Sequence, residues 1–177
     1  MTAYNEYGRA LFLLAEEESN IEAIRTDAGI ILSILSENPE YTRILDTPAI
    51  PKEERLALID EAFSGISDNV KNLVKILCEQ RGVHTFPDVY NTLLALYNEK
   101  MGIIDVEAVT AIPMSDGQIR ALCEKLTALT GKRPVIRNTV DPEILGGMKL
   151  RYLGIQVDGS VKTKLDGFAD SLKNIVI

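Results

Sequence analysis

The side chains best able to do chemistry are few and scattered in this sequence. His84 is the only histidine in 177 residues. General-base work needs a partner that orients the ring, and no Cys, Asp or second His adjoins it in sequence. A structural role is therefore expected for it. Cys78 and Cys123 fall on apolar stripes of predicted helices, which reads as two core thiols rather than a disulfide. Neither has the close Cys or His neighbour of a zinc site, so no metal is expected. The Gly pair in Leu145-Gly146-Gly147-Met148 leads into a strand-like segment, whereas a phosphate loop leads into a helix whose N-terminus holds the anion. No G-x-S-x-G, H-E-x-x-H or C-x-x-C pattern occurs, and there is no Trp.

Charged groups cluster twice. Glu16-Glu17-Glu18 reads as the solvated end of a first helix, with contact to a basic partner as the alternative. Arg133, Arg137, Lys149 and Arg151 fall on predicted strands and could share one sheet face. Without interleaved aromatics they do not argue for nucleic acid. The chemistry is silent, which points to an interaction protein without cofactors.

The elements that would position these groups come in two kinds. In the first half apolar residues recur at spacings of three and four: Tyr7, Leu11 and Leu14, then Ile21, Ile24, Ala28, Ile31 and Leu35. Asn38-Pro39 stops the second run, and a short helical piece around Tyr41–Leu45 follows. Pro51 is expected to open a fourth helix. Val70, Leu73, Val74, Leu77 and Cys78 form the stripe of a fifth, with Ser67 as its cap and Gly82 past its end. Pro87 opens a sixth, with Tyr90, Leu93, Leu94 and Tyr97 inward, before Gly102 ends it. Five or six short amphipathic helices make a bundle.

After Gly102 the period becomes two. Ile104, Val106, Ala108, Thr110 and Ile112 alternate with Asp105, Glu107 and Val109. Ser115-Asp116-Gly117-Gln118 has the form of a capping box, followed by a helix burying Ile119, Leu122, Cys123, Leu126 and Leu129 and closed at Gly131. Arg133–Val140 reads as a second strand, Met148–Leu153 and Ile155–Val157 as a hairpin turning at Gly154, and Val161, Leu165, Phe168, Leu172 and Ile175 as the stripe of a last helix. The fold class is thus α+β in two domains, a helical bundle over residues 1–104 and a small α/β domain over residues 105–177.

Charge divides at the same place. Residues 1–104 carry 9 Lys+Arg against 17 Asp+Glu, and residues 105–177 carry 10 against 9. An acidic half is a poor partner for nucleic acid or an anionic membrane. Apolar residues are 46% of the chain, enough for a core, yet no apolar run approaches the ~20 residues of a membrane span. The N-terminus lacks the features of a signal or transit peptide, so a soluble protein is expected.

Three segments carry a family likeness: Tyr7-Gly8-Arg9-Ala10-Leu11, with Gly8 where Ala is usual; Arg81-Gly82 with Phe86 and Tyr90; and Val140-Asp141-Pro142-Glu143-Ile144-Leu145-Gly146-Gly147 followed by Val157-Asp158-Gly159-Ser160-Val161 and Leu165. The third is the most specific, and within it Asp141, Pro142, Gly146, Gly147, Asp158 and Ser160 are the signature positions. By these the sequence resembles the delta (OSCP) subunits of F-type ATP synthases. The resemblance implies a six-helix N-terminal bundle and a non-catalytic stator role. It implies that the bundle binds the N-terminal helix of an alpha subunit, that the second domain grips the C-terminal region of b-type stalk subunits, and that the chain sits peripherally on the cytoplasmic side of a bacterial membrane. It places the alpha-binding groove between the first and fifth helices, where Tyr7, Leu11, Leu14, Val74, Leu77 and Cys78 are the candidates. The bland alternative is that these fill the bundle's own core, which is expected of about half of them. A helical adaptor of another assembly and a small nucleotide-binding protein using the loop from Asp141 to Gly147 are the alternatives.

Overall fold

In the computed structural model, residues 3–144, 147–152 and 155–158 are described. The chain mixes helix and sheet and divides into two compact units, Met1–Tyr97 and Asn98–Ile177.

The first unit contains the helices α1 (Ala3–Glu17), α2 (Ile21–Glu37), α3 (Pro39–Asp46), α4 (Lys52–Ala62) and α5 (Asp68–Glu79), a 3-10 turn (Val83–Thr85), and most of α6 (Phe86–Lys100). The apolar spacing decides which faces turn inward. Leu11, Ala15, Ile24, Ala28, Ile31, Leu45, Ile59, Phe63, Val70, Val74, Leu77, Phe86, Val89 and Leu93 are all buried. On α6 the inward face is set by Phe86, Val89, Leu93 and Tyr97, while Tyr90 and Leu94 are only half-buried. The fourth helix starts at Lys52, with Pro51 one residue earlier as its N-cap.

Two expected helix ends are made differently. Ser67 precedes α5, but its hydroxyl makes no cap. Instead the Asp27 carboxylate, from α2, accepts the Ser67 backbone N–H at 2.9 Å. At the other end Arg81, not Gly82, takes the left-handed conformation, with φ 57°. The chain closes there by a 2.8 Å bond from the Gly82 N–H to the Leu77 carbonyl.

Gly8 has a clear reason to be glycine. A Cβ there would lie 2.6 Å from the Val89 carbonyl oxygen and 2.7 Å from Thr92 Cβ, both on α6. Alanine must therefore push α1 and α6 apart. We expect Gly8→Ala to cost about 1–3 kcal/mol through overpacking, which exceeds or matches the ~1 kcal/mol that alanine gains in helix propensity. Urea unfolding checks this, and a raised midpoint would contradict it.

Tyr41 ties α3 to α4. Its hydroxyl donates to the Leu58 carbonyl at 3.0 Å and its ring meets Phe63 edge-on. Burial, with smaller contributions from Cys78 and Glu61, pushes its phenol from 10.0 up to about 12. The fold thus favours the protonated form. Its contribution is whole below about pH 10 and is lost as pH rises towards 12. The stability of Tyr41→Phe should fall less steeply than that of the parent over that window, as read by urea midpoints against pH. Equal slopes would exclude this origin.

In the second unit β1 (Ile103–Thr110) feeds α7 (Asp116–Thr130), which returns the chain to β2 (Arg133–Val140) parallel to β1. The crossover helix is what a parallel pair requires. β3 (Met148–Tyr152) pairs antiparallel to β1, and β4 (Ile155–Asp158) antiparallel to β3, in the order β2-β1-β3-β4. Ile104, Val106 and Ala108 pack with Leu122 and Leu126. The Ser115–Gln118 capping box forms, and Gly131 closes α7 at φ 66°. Two expected core residues lie outside: Ile112, past the end of β1, is 73% exposed, and Leu129 is 82% exposed because the helix turns it away from the sheet. Ile119 and Cys123 are half-buried. Gly154 and the last-helix positions Val161, Leu165, Phe168, Leu172 and Ile175 lie outside the described residues.

Candidate functional site

Helices α1 and α5 lie side by side in opposite directions. The Tyr7 hydroxyl sits 2.8 Å from the Gln80 amide nitrogen at one end, and Asn69 donates to Glu18 at 2.6 Å at the other. These two links tie α1 to α5 at both ends. Four of the six groove candidates belong to the core of the unit: Leu11, Val74, Leu77 and Cys78 are buried. Tyr7 and Leu14 are half-buried. The exposed apolar positions on the outer side are Ala10 on α1 and Ile76 on α5, with Leu13 further out on α1. The same three-and-four spacing that identified the stripe gives no signal for these, because a residue beside the buried face looks ordinary in sequence.

Against the C-terminal turns of α3 and α5 lies Arg55 of α4, a buried side chain. One of its nitrogens donates to the carbonyls of Leu45 at 2.6 Å and Cys78 at 2.9 Å. These carbonyls end α3 and α5, so a single cation caps two helices at their negative poles. Nothing in the sequence marked Arg55. The Cys78 thiol donates to the Leu45 carbonyl at 3.2 Å. Burial pushes its pKa up, with Arg55 pulling the other way. A buried, protonated thiol is no nucleophile.

His84 does have a carboxylate partner, contrary to the sequence expectation. Asp46 comes from α3 and lies 2.7 Å from Nδ1. The same carboxylate accepts the backbone N–H groups of Val83 at 2.8 Å and His84 at 3.1 Å. The pair thereby fastens the 3-10 turn to α3, a structural task.

In the second unit the signature loop turns after β2. Asp141 donates its N–H to the Thr110 carbonyl at 2.9 Å, and its carboxylate accepts the Glu143 N–H at 3.0 Å. Pro142 lies within that turn, which delivers Ile144 into the interior. Gly147 adopts φ 81° and leads into β3, not into a helix. Asp158 pairs in register with Lys149. Gly146 and Ser160 lie outside the described residues. Asn138, which the sequence did not single out, joins three segments: it donates to the Ala108 carbonyl and the Thr110 hydroxyl, each at 2.8 Å, and accepts the Met114 N–H at 2.8 Å.

The basic strand residues do not form an unbroken patch. In register Glu107 stands between Arg137 and Arg151, and Arg151 pairs with Glu107 at 3.0 Å while Arg137 lies 3.8 Å from Asp105. On the α7 side an apolar cleft of about 640 Å³ is lined by residues including Ile112, Met114, Leu122 and Met148. Among the described residues no group of three or more His, Cys, Asp or Glu could hold a metal, and no helix is long and apolar enough to cross a membrane.

Arg55, Cys78 and the His84–Asp46 pair are all engaged in structural bonds. Residues 4–172 match the family described as ATP synthase delta (OSCP) subunit. The chain is 33% identical to the ATP synthase subunit delta of Clostridioides difficile over 97% of this chain and 96% of the relative. It is 35% identical to that of Leuconostoc mesenteroides over 91% and 90%. A chain in the cryo-EM structure of the Toxoplasma gondii mitochondrial ATP synthase hexamer shares the fold, with a TM-score of 0.74 at 18% identity over 97% of this chain and 98% of that one. The chain belongs to the ATP synthase delta (OSCP) subunit family.

Proposed function

We propose that this chain is a non-catalytic stator subunit of an F-type ATP synthase, joining the alpha/beta head to the peripheral stalk so that the head does not turn with the rotor. Residues 1–104, read as a six-helix bundle, receive the N-terminal helix of an alpha subunit. Residues 105–177 hold the C-terminal region of the b-type stalk subunits, with the complex on the cytoplasmic side of a bacterial membrane. What supports the first assignment is the groove we place between α1 and α5, where the exposed Ala10 and Ile76 and the half-buried Leu14 present apolar surface beside the buried Leu11, Val74 and Leu77. Such a groove accepts the apolar face of a third helix. Support for the second assignment is the apolar cleft beside α7.

Two synthetic peptides test the scheme on the full chain: the alpha N-terminal segment and the b C-terminal segment from the same organism. Each should bind without displacing the other. Ile76→Asp should weaken the alpha peptide by about tenfold or more, because a carboxylate would be desolvated under the docked helix, and leave the b peptide unaffected. Absence of alpha-peptide binding to the folded parent chain would sink the assignment of the groove.

A further inference from the structure

β2 lies at an edge of the sheet, and its register fixes which of its backbone groups face outward. The Arg133 N–H donates to the Gly102 carbonyl at 2.7 Å and the Asp141 N–H to the Thr110 carbonyl at 2.9 Å. Pairing with β1 runs unbroken from Arg133 to Val140, so every second residue turns its N–H and C=O towards β1. Ile136, Asn138 and Val140 therefore point both groups away from the sheet. Among the described residues no further strand pairs with them. Pro134 guards only the start of this edge, and no bulge interrupts it.

The two sides of the edge differ in character. Ile136 packs towards Leu122 and Leu126, so its odd-numbered neighbours face away from α7. On that far side Arg133 and Arg137 are exposed, with Val135 between them. Arg137 reaches Asp105 only at 3.8 Å, and Glu107 is engaged by Arg151 at 3.0 Å. A cavity of about 510 Å³ opens there, lined in part by Arg137, Thr139 and Arg151. On the α7 side Ile119 and Cys123 are half-buried, and the Cys123 thiol lies 4.0 Å from the outward Pro134 carbonyl.

We infer that β2 accepts an extended segment of another protein as a fifth strand, and that this segment alternates acidic with apolar residues. Backbone bonds to Ile136, Asn138 and Val140 hold the strand, and its side chains give selectivity. Carboxylates lie beside Arg133 and Arg137, and apolar residues lie against Ile119 and Cys123. A basic segment sets cation against cation in the same rows, and a second copy of β2, with its own Arg133 and Arg137, is disfavoured for that reason. The inference stands apart from the docking of the alpha and b segments.

The probe is a short synthetic peptide alternating Glu with Val and Thr, added to the full isotope-labelled chain. At saturating peptide, hydrogen exchange at the amides of Ile136, Asn138 and Val140 should slow by about tenfold or more, whereas Val135, Arg137 and Thr139, already bonded to β1, should not change. The same peptide N-methylated at the amides that face β2 should give no such protection, with the protein itself unaltered. Arg137→Glu should weaken the acidic peptide about fivefold at low ionic strength and favour a Lys-containing counterpart, the difference largely gone at about 0.5 M salt. Protection of the three amides before any peptide is added would show that the chain covers this edge itself and would overturn the inference. So would undiminished binding of the N-methylated peptide, slowed exchange at β4 in place of β2, or no binding at all. Each of these outcomes leaves the alpha and b assignments standing, because those are read with different peptides.

Discussion

Leu77→Asp is expected to unfold the helical unit, while Ile76→Asp, one residue away, leaves it folded. Leu77 is 0% exposed and Ile76 is 44% exposed. Helical geometry separates neighbours by about 100° around the axis, enough to place Leu77 in the core and Ile76 at the surface. A carboxylate at Leu77 would lose a packed side chain and gain an unpaired buried charge. Substitutions with both faults reach about 4–5 kcal/mol or more, against a total of roughly 5–15 kcal/mol for a domain. Circular dichroism should show lost helix or a collapsed urea midpoint for Leu77→Asp and a near-parental curve for Ile76→Asp. Loss of peptide binding is therefore informative for Ile76 and uninformative for Leu77. Similar melts for the two variants would refute this distinction.

The second large effect is expected at Arg55. Methionine would keep much of its volume but remove the donor shared by the Leu45 and Cys78 carbonyls. Hydrogen bonds from a charged donor contribute about 1.5–3 kcal/mol each, while the Leu45 carbonyl keeps the Cys78 thiol and the Cys78 carbonyl keeps the Arg81 N–H. We expect Arg55→Met to lose roughly 2–4 kcal/mol. The guanidinium is not matched by a carboxylate in these bonds, and its Nε has no partner, so part of that loss is offset by relief of a buried cation. Calorimetric or urea unfolding reads the result, and an unchanged midpoint would show that water can replace the cap. Because Arg55 joins the ends of α3 and α5, Arg55→Met should also weaken alpha-peptide binding more than its distance from the groove suggests.

The order of elements was open to reading because their periods are unambiguous. Ile104, Val106 and Ala108 alternate with charged residues and are buried, and Ser115 with Gln118 forms its box from local bonds alone. Errors arose where a residue's surroundings came from distant chain. Ser67 has the right type for a cap, yet its N–H is taken by Asp27, forty residues earlier. His84 looked solitary because Asp46 stands on another helix. Leu129 continues the spacing of α7 but is turned away from the face that buries Leu122 and Leu126.

The groove follows the same rule. The sequence by itself determined that α1 and α5 each carry one apolar stripe, that the chain changes from period 3.6 to period 2 near Gly102, and that acid is concentrated in the first half. It could not say which stripe residues close against their own chain. Tertiary packing decided that: Leu11, Val74, Leu77 and Cys78 went inward, and Ala10 and Ile76 stayed out. It also decided the strand order β2-β1-β3-β4 and the two helix ends gathered on Arg55. The reason is physical. Periodicity reports the direction in which a face points, whereas burial depends on what arrives from elsewhere to cover it.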